Sequence, residues 1–456
     1  MQTLRKIENV IAKASNRGNF WQKFLAKVQQ ILAKKLDRIV TNITFEKINT
    51  LSFFRRIKFA RLRKVLGKLY AAHTEKLQKE AKQRKIRVAF LVNSKCKWHG
   101  KFLYNLLAES DNLEPIILVA PELKNSGAYE LNELLSFFKN AGFHTECTYD
   151  IAAKKYLDLK IFRPDIVFYE QPWNIESEHS IFRVAKFALT CYSPYCFHLL
   201  CSEYDYLEKF HRFLWKYFVE SPLHLESYKS RFNASNCVSV GSLHLDGYLS
   251  SEEPDGKLWQ DKSSGKKRII YAPHFSTDAN HMMATFHKNR HFILNLASMY
   301  PETTWIVRPH PYFAEQIVGC GVMTKQELED YWAEWKEYGM ISLEENFIDL
   351  FRTSDCLITD CISFLADYFP TGKPVFHLRS DAQTRKFTNF AEDIIGTYYQ
   401  IYSNAELDKL FLRVIIEGDD YMAPRRLSRI KAMELPGKEM ASQRLFNHIK
   451  AELKIQ

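Results

Sequence analysis

"TWIVRPHPYF", Thr304–Phe313, opens as an apolar run without polar alternation and stops at two prolines. A strand solvated on one face alternates apolar and polar side chains, whereas one that stays apolar is covered on both faces, as in a parallel sheet between helices. The prolines cannot extend a strand ladder, and they stiffen the backbone around Arg308 and His310 at its carboxyl end. The stretch therefore predicts a central strand of a parallel sheet with two polar side chains fixed at its tip.

The same plan repeats around it. RIIYAPHFS (Arg268–Ser276), GMISL (Gly339–Leu343), CLITD (Cys356–Asp360) and KPVFHL (Lys373–Leu378) are short apolar runs separated by helical stretches. Upstream, IRVAFLV (Ile86–Val92), EPIILVA (Glu114–Ala120), PDIVFYE (Pro164–Glu170), WKYFVES (Trp215–Ser221) and CVSVGS (Cys237–Ser242) form an earlier series, with helices expected through Phe102–Ala108 and Tyr129–Asn140. Ser250–Arg268 is polar, charged and Gly- and Ser-bearing, the composition of a linker. The fold class expected is α/β, with two doubly wound Rossmann-like domains facing across a cleft behind an α-helical basic arm. The expected boundaries are 1–85 for the arm, 86–250 for the first domain, 251–267 for the linker and 268–456 for the second, closed by a helix over Met440–Ile455.

Composition agrees with that division. A chain of 456 residues exceeds a single ordinary core, and 46% hydrophobic content with 14% aromatic residues excludes wholesale disorder. The odd count of nine cysteines, without paired spacings, and the lack of a secretory leader lead to the expectation of free thiols in the cytoplasm. Cys191, Cys196 and Cys201 with His198 match no zinc spacing, so no metal is expected. No stretch approaches the ~18 to 20 apolar residues of a bilayer span.

Charge is unevenly spread. Met1–Lys85 carries 22 Lys or Arg against 5 Asp or Glu, net +17, while the remainder holds 42 against 48, net −6. Phe20–Val40 and Leu51–Tyr70 read as amphipathic basic helices, the second bearing Arg55, Arg56, Lys58, Arg61, Arg63, Lys64 and Lys68. Such helices commonly pack on the body with a solvated face. This charge density also suits an anionic membrane surface, each cation adding ~1 kcal/mol of attraction. No nucleic-acid recognition motif accompanies the charge, so no nucleic-acid partner is expected.

In a parallel sheet all carboxyl ends share one edge, so His274 and Ser276, Arg308 and His310, and Thr359, Asp360 and Ser363 are expected to converge. The guanidinium of Arg308 offers paired donors for phosphate oxygens, and His310 could donate to a leaving phosphate or act as acid. Thr359 and Ser363 flank a helix start whose free amides suit an anion; the plainer alternative is that Asp360 or Ser363 simply caps that helix. Neither G-x-x-x-x-G-K-[ST] nor G-x-G-x-x-G occurs, which argues against ordinary ATP-driven or hydride chemistry.

RIIYAPHFS, IVRPHP and FIDLFRTSDCLITDCISFLADYFPTGKPVFHL resemble the CDP-glycerol glycerophosphotransferase family of teichoic-acid and capsule synthesis. The resemblance covers Ile86 to the C-terminus and is more specific in the second domain. Asp360, Ser363 and Asp367 keep the frame of the family's D-Y-S-S motif, while Cys361 and Ile362 depart from it.

The resemblance implies a GT-B fold, with an acceptor domain followed by a nucleotide-donor domain. It implies transfer of glycerol phosphate, or ribitol phosphate, from CDP-glycerol or CDP-ribitol to a polymer or lipid-linked hydroxyl at the inner membrane face, releasing CMP. It places Arg308, His310, Thr359, Ser363 and Asp367 against the donor, and no further cofactor is called for. The family's W-H-G-T motif, which supplies a catalytic histidine, has CYSPYCFHL (Cys191–Leu199) at its place, while a literal WHG stands at Trp98–Gly100. His99, His198 and Glu170 are therefore the candidate bases. The alternative enzyme reading is a GT-B nucleotide-sugar glycosyltransferase of surface polysaccharide synthesis, and the non-enzymatic one is a membrane-bound scaffold.

Overall fold

The computed structural model describes residues 53–121, 128–171, 175–202, 210–231, 234–254, 259, 265–276, 283–310, 312–342, 347–380, 383 and 385–456. The first expected arm helix and most of the linker lie outside the described residues, as do the side chains of Arg55, Arg56 and Lys58.

The first lobe carries a seven-stranded sheet. Its strands are β1 (Ile86–Val92), β2 (Leu113–Val119), β3 (Thr145–Cys147), β4 (Ile166–Tyr169), β5 (Leu189–Tyr192), β6 (Lys216–Val219) and β7 (Cys237–Ser239). They lie in the order β3-β2-β1-β4-β5-β6-β7, and every neighbouring pair is parallel. Sequence reading missed β3 and β5. The first is too short to show a pattern, and the second runs into CYSPYCFHL, weighed only as the counterpart of the W-H-G-T motif.

The second lobe carries six strands: β8 (Lys267–Ala272), β9 (Thr303–Val307), β10 (Gly339–Ile341), β11 (Cys356–Thr359), β12 (Val375–Leu378) and β13 (Tyr399–Ile401). Their order is β10-β9-β8-β11-β12-β13, again all parallel. All five residues of β9 are buried, as its unbroken apolar run requires, and Trp305 meets Trp335 with ring centres 5.7 Å apart. In each sheet the order reverses at the first strand, β1 or β8. The loops that open there are the usual place for a ligand in a doubly wound fold.

Two helices depart from the expected boundaries. Helix α1 (Phe53–Glu80), expected within a separate arm, buries Leu62, Leu66, Tyr70 and Leu77 in the first lobe's core. The Tyr70 hydroxyl donates to the Phe213 carbonyl at 2.7 Å and lies 2.6 Å from the Thr190 hydroxyl. Arg61, Lys64 and Lys68 stay exposed on the opposite side, while Arg63 donates to the Ser235 hydroxyl. The apolar stripe is satisfied by the lobe and the charges face solvent, so the core begins upstream of residue 86.

After α2 (Lys101–Glu109) and α3 (Ile362–Tyr368), the closing helix α4 (Ala441–Leu453) also crosses a boundary. Its apolar face, Leu445, Phe446, Ile449 and Leu453, belongs to the first lobe's core, where it packs against α2 and α1. The chain thus returns to the lobe it began with. Asp246 fixes the return by accepting the amides of Ala441 and Ser442 at 2.6 and 2.9 Å. Gly241 allows the close approach: its φ is +97°, and an added Cβ would stand 2.5 Å from the Arg444 guanidinium.

Candidate active site

The ends of β8, β9 and β11 come together. Asp360, just after β11, accepts the His274 amide at 2.6 Å and both the amide and hydroxyl of Thr285, at 2.5 and 2.9 Å. Burial pushes its carboxyl up to about 6 against the opposing pull of those amides. Asp360 therefore ties the loop after β8 to the loop after β11. The hydroxyl of Thr359 donates to the Ala272 carbonyl at 2.7 Å and accepts the Cys361 amide at 2.9 Å. That of Ser276 lies 2.7 Å from Nδ1 of His274 and accepts the Met283 amide. Both hydroxyls shape the loops from inside and are turned away from the rim expected to hold the donor. Ser363 is half-buried in the first turn of α3, its hydroxyl 3.4 Å from Cys361 Sγ.

Arg308 and His310 remain as the polar tip of β9. The Arg308 guanidinium lies 5.4 Å from the ring centre of Phe364, on α3, and 5.9 Å from that of Phe347. His310 packs on Phe275, ring centres 4.3 Å apart, and stands 5.5 Å from His274. Its Nδ1 accepts the Tyr312 amide at 3.1 Å, which leaves Nε2 to carry the proton of the neutral ring. Burial, helped by the Arg308 charge, lowers its pKa to about 4, so the ring is neutral near pH 7 and donates through Nε2.

The loop after β1 supplies the first lobe's contribution. Trp98 turns into the core against Phe90 and Phe138, folding over Gly100, where a Cβ would stand only 2.5 Å from its ring. His99 meets Phe347 of the second lobe at 6.0 Å between ring centres. Phe347 thus touches both His99 of the first lobe and Arg308 of the second. His99 and Glu170 line one open pocket of about 420 Å³ at this edge, with Lys97, Ser193 and Tyr195. Oε2 of Glu170 accepts the amides of Asn93 and Ser94 at 2.8 and 3.1 Å, so Glu170 braces the loop that carries His99.

His198, the other candidate base, is not in that pocket. It is buried at the seam, its Nδ1 2.5 Å from Glu220 and its carbonyl accepting the Thr388 hydroxyl of the second lobe. Burial alone would raise the Glu220 carboxyl, but His224 and His198 overcome it and hold it at about 2. Asp367 also points to the seam rather than to the tip of β9, with one carboxylate oxygen 3.0 Å from Nε2 of the first lobe's His244. Sequence reading passed over His244, which stands between CVSVGS and the linker in a stretch that carries no motif. The rule that singled out His99, a polar residue just past a parallel strand's carboxyl end, applies equally to it. Among the described residues no three His, Cys, Asp or Glu side chains gather as a metal site.

Comparisons with known proteins agree with the two-lobed fold. The structure of the wall teichoic acid polymerase TagF superposes with a TM-score of 0.55 at 16% identity, covering 88% of this chain and 96% of that one. UDP-GlcNAc 2-epimerase from Neisseria meningitidis bound to UDP-GlcNAc gives 0.54 at 13% identity, covering 80% and 100%. The S. aureus MnaA–UDP complex gives 0.53 at 15%, covering 81% and 98%. At such identities the likeness is one of fold, two doubly wound lobes of the GT-B kind. No curated protein sequence matches. The family described as CDP-Glycerol:Poly(glycerophosphate) glycerophosphotransferase matches residues 207–449, more than half of the chain and nearly all of the second lobe. A match over more than half of the chain shows the family: the chain belongs to the CDP-glycerol:poly(glycerophosphate) glycerophosphotransferase family.

Proposed function

We propose that the protein transfers glycerol phosphate, or ribitol phosphate, from a CDP-alditol to a hydroxyl of a polymer or lipid-linked acceptor, as in teichoic-acid synthesis. The observation that carries this reading is that Arg308, at the tip of β9 with His310, and His99 of the first lobe both lie against the ring of Phe347, within a family of CDP-glycerol transferases. The acceptor oxygen attacks the alditol-bearing β-phosphorus, the bond from that phosphorus to the bridging oxygen breaks, and CMP departs. His99 takes the hydroxyl proton at the mouth of the first lobe's pocket. Arg308 and the Nε2–H of His310 meet charge developing on the terminal and bridging oxygens, and preorganised donors of this kind are worth ~3 to 4 kcal/mol each. Ser363 and the first amides of α3 flank the same diphosphate.

The basic face of α1 would hold the protein at the anionic inner membrane surface, where a lipid-linked acceptor lies. Purified protein incubated with CDP-glycerol, CDP-ribitol and a panel of UDP- and CMP-sugars, with and without a hydroxyl acceptor, tests the reading. Acceptor-dependent release of CMP from a CDP-alditol is expected, whereas turnover with a sugar nucleotide alone would establish the glycosyltransferase reading instead.

A further inference from the structure

His244 is a buried histidine that neither the strand-tip chemistry nor the family resemblance accounts for. It sits in the turn Leu243–Tyr248, which follows β7 and also anchors α4 through Asp246. Its Nδ1 lies 2.9 Å from the Tyr195 carbonyl, and its Nε2 lies 3.0 Å from the Asp367 carboxylate, an ion-pair contact reaching across from α3 of the other lobe. The Tyr248 hydroxyl donates to the Asp367 carbonyl at 2.7 Å, so the same turn grips both ends of that residue. The edge of the His244 ring meets His99, centres 5.2 Å apart and planes at 86°.

We propose that His244 is a positioning residue for His99: clamped by Asp367 from the opposite lobe and by the Tyr195 carbonyl, it buttresses the base and ties it to the meeting of the two lobes. The inference rests on the assignment of His99 as base in the preceding section.

The chemistry follows from counting donors. A neutral imidazole has one N–H, and His244 has an oxygen near each nitrogen, the Tyr195 carbonyl on one side and the Asp367 carboxylate on the other, an arrangement that favours the protonated ring. Burial would depress its pKa, but Asp367 and the Tyr195 carbonyl overcome that and hold it above the ordinary value, with Glu220 adding a weaker attraction. Phe197, the remaining ring against it, carries no charge. His99 is thereby placed beside a cation. Burial first, and the His244 charge second, keep its pKa well below 6.5. The other charged groups around His99 are Arg308, beyond Phe347, and Glu170 and Lys97 in the pocket wall. With the lobes together, His99 stays able to accept a proton at pH values where an ordinary histidine is already blocked. Separation of the lobes removes Asp367, and with it the charge and the buttress.

The acidic limb of the kcat/KM profile against pH reports the base in the free enzyme. With CDP-glycerol as donor, it should be measured for wild type, His99→Ala, His244→Gln, Asp367→Asn and His244→Arg, alongside the thermal midpoint of each. Removing the adjacent charge should move the limb to higher pH by about one unit in His244→Gln and in the isosteric Asp367→Asn. His244→Arg, which restores a cation facing Asp367, should return it toward wild type. A limb that does not move in whichever of the two neutral variants folds, while His99→Ala abolishes turnover, overturns the positioning role and leaves the base assignment standing. Wild-type turnover in His99→Ala removes the base assignment itself.

Discussion

Arg308 is largely buried, and its guanidinium is held near the rings of Phe347 and Phe364. Its geometry is thus set before any ligand arrives, and donors preorganised in this way act chiefly on the transition state. Arg308→Ala is expected to lower kcat/KM by about 10²- to 10³-fold while leaving the thermal midpoint near wild type. Arg308→Lys should recover little of this, because an ammonium lacks the planar pair of donors. A wild-type rate in either variant would remove Arg308 from the reaction. Both it and His310 were legible in the sequence because the flanking prolines and the strand end fix where they stand. The other hydroxyls and acids were not, since the sequence names a hydroxyl but not its nearest acceptor. Thr359 turns to the Ala272 carbonyl, Ser276 to His274, and Asp367 to an imidazole 123 positions upstream, His244.

Among the elements, α1 and α4 are the two whose allegiance was misplaced, because an amphipathic helix near the end of a chain shows which face it will bury but not against what. Leu445 is fully buried in the first lobe, so Leu445→Ala should cost about 2 to 5 kcal/mol in chemical denaturation. That loss should appear in the transition of the first lobe if the lobes unfold separately. Helix α1 is the other case. Its apolar stripe is spent on the lobe, and its exposed Arg61, Lys64 and Lys68 remain for an anionic surface. Reversing the three to Glu should weaken binding to phosphatidylserine vesicles by more than the ~1 kcal/mol expected of each lost charge, and the difference should fade with added salt. Unchanged binding at low salt would detach this helix from membrane association. The strands, by contrast, were legible where the apolar run was long; β3 and β13, three residues each, were too short to show a pattern, and β5 ran into the CYSPYCFHL segment.

At the scale of the whole molecule, acid is the condition the fold tolerates least. Burial lowers the pKa of His179 and His310 to about 4 and that of His377 to about 3, each from an ordinary 6.5. A histidine depressed in the folded state takes up its proton first in the unfolded chain, so stability falls as pH drops from 6.5 toward 4. Asp360, raised from 3.8 to about 6, works in the opposite sense from about pH 6 downward, whereas the stabilisation from the raised His244 is already complete below 6.5. His99 and His224 are depressed as well, so the histidines outweigh Asp360, and the urea midpoint should decline between pH 6.5 and 4.5; a flat or rising midpoint would contradict the balance. The two-lobed plan itself was legible from alternating apolar runs and helices. What the pattern could not convey was that the polypeptide passes between the lobes twice, once after β7 and again before α4. Two crossings tie the lobes together at two points. They also make the halves inseparable by a single cut: a fragment ending at Ser250 would lack the helix that roofs Leu103 and Leu107, and only co-expression with the remaining piece would restore its missing wall.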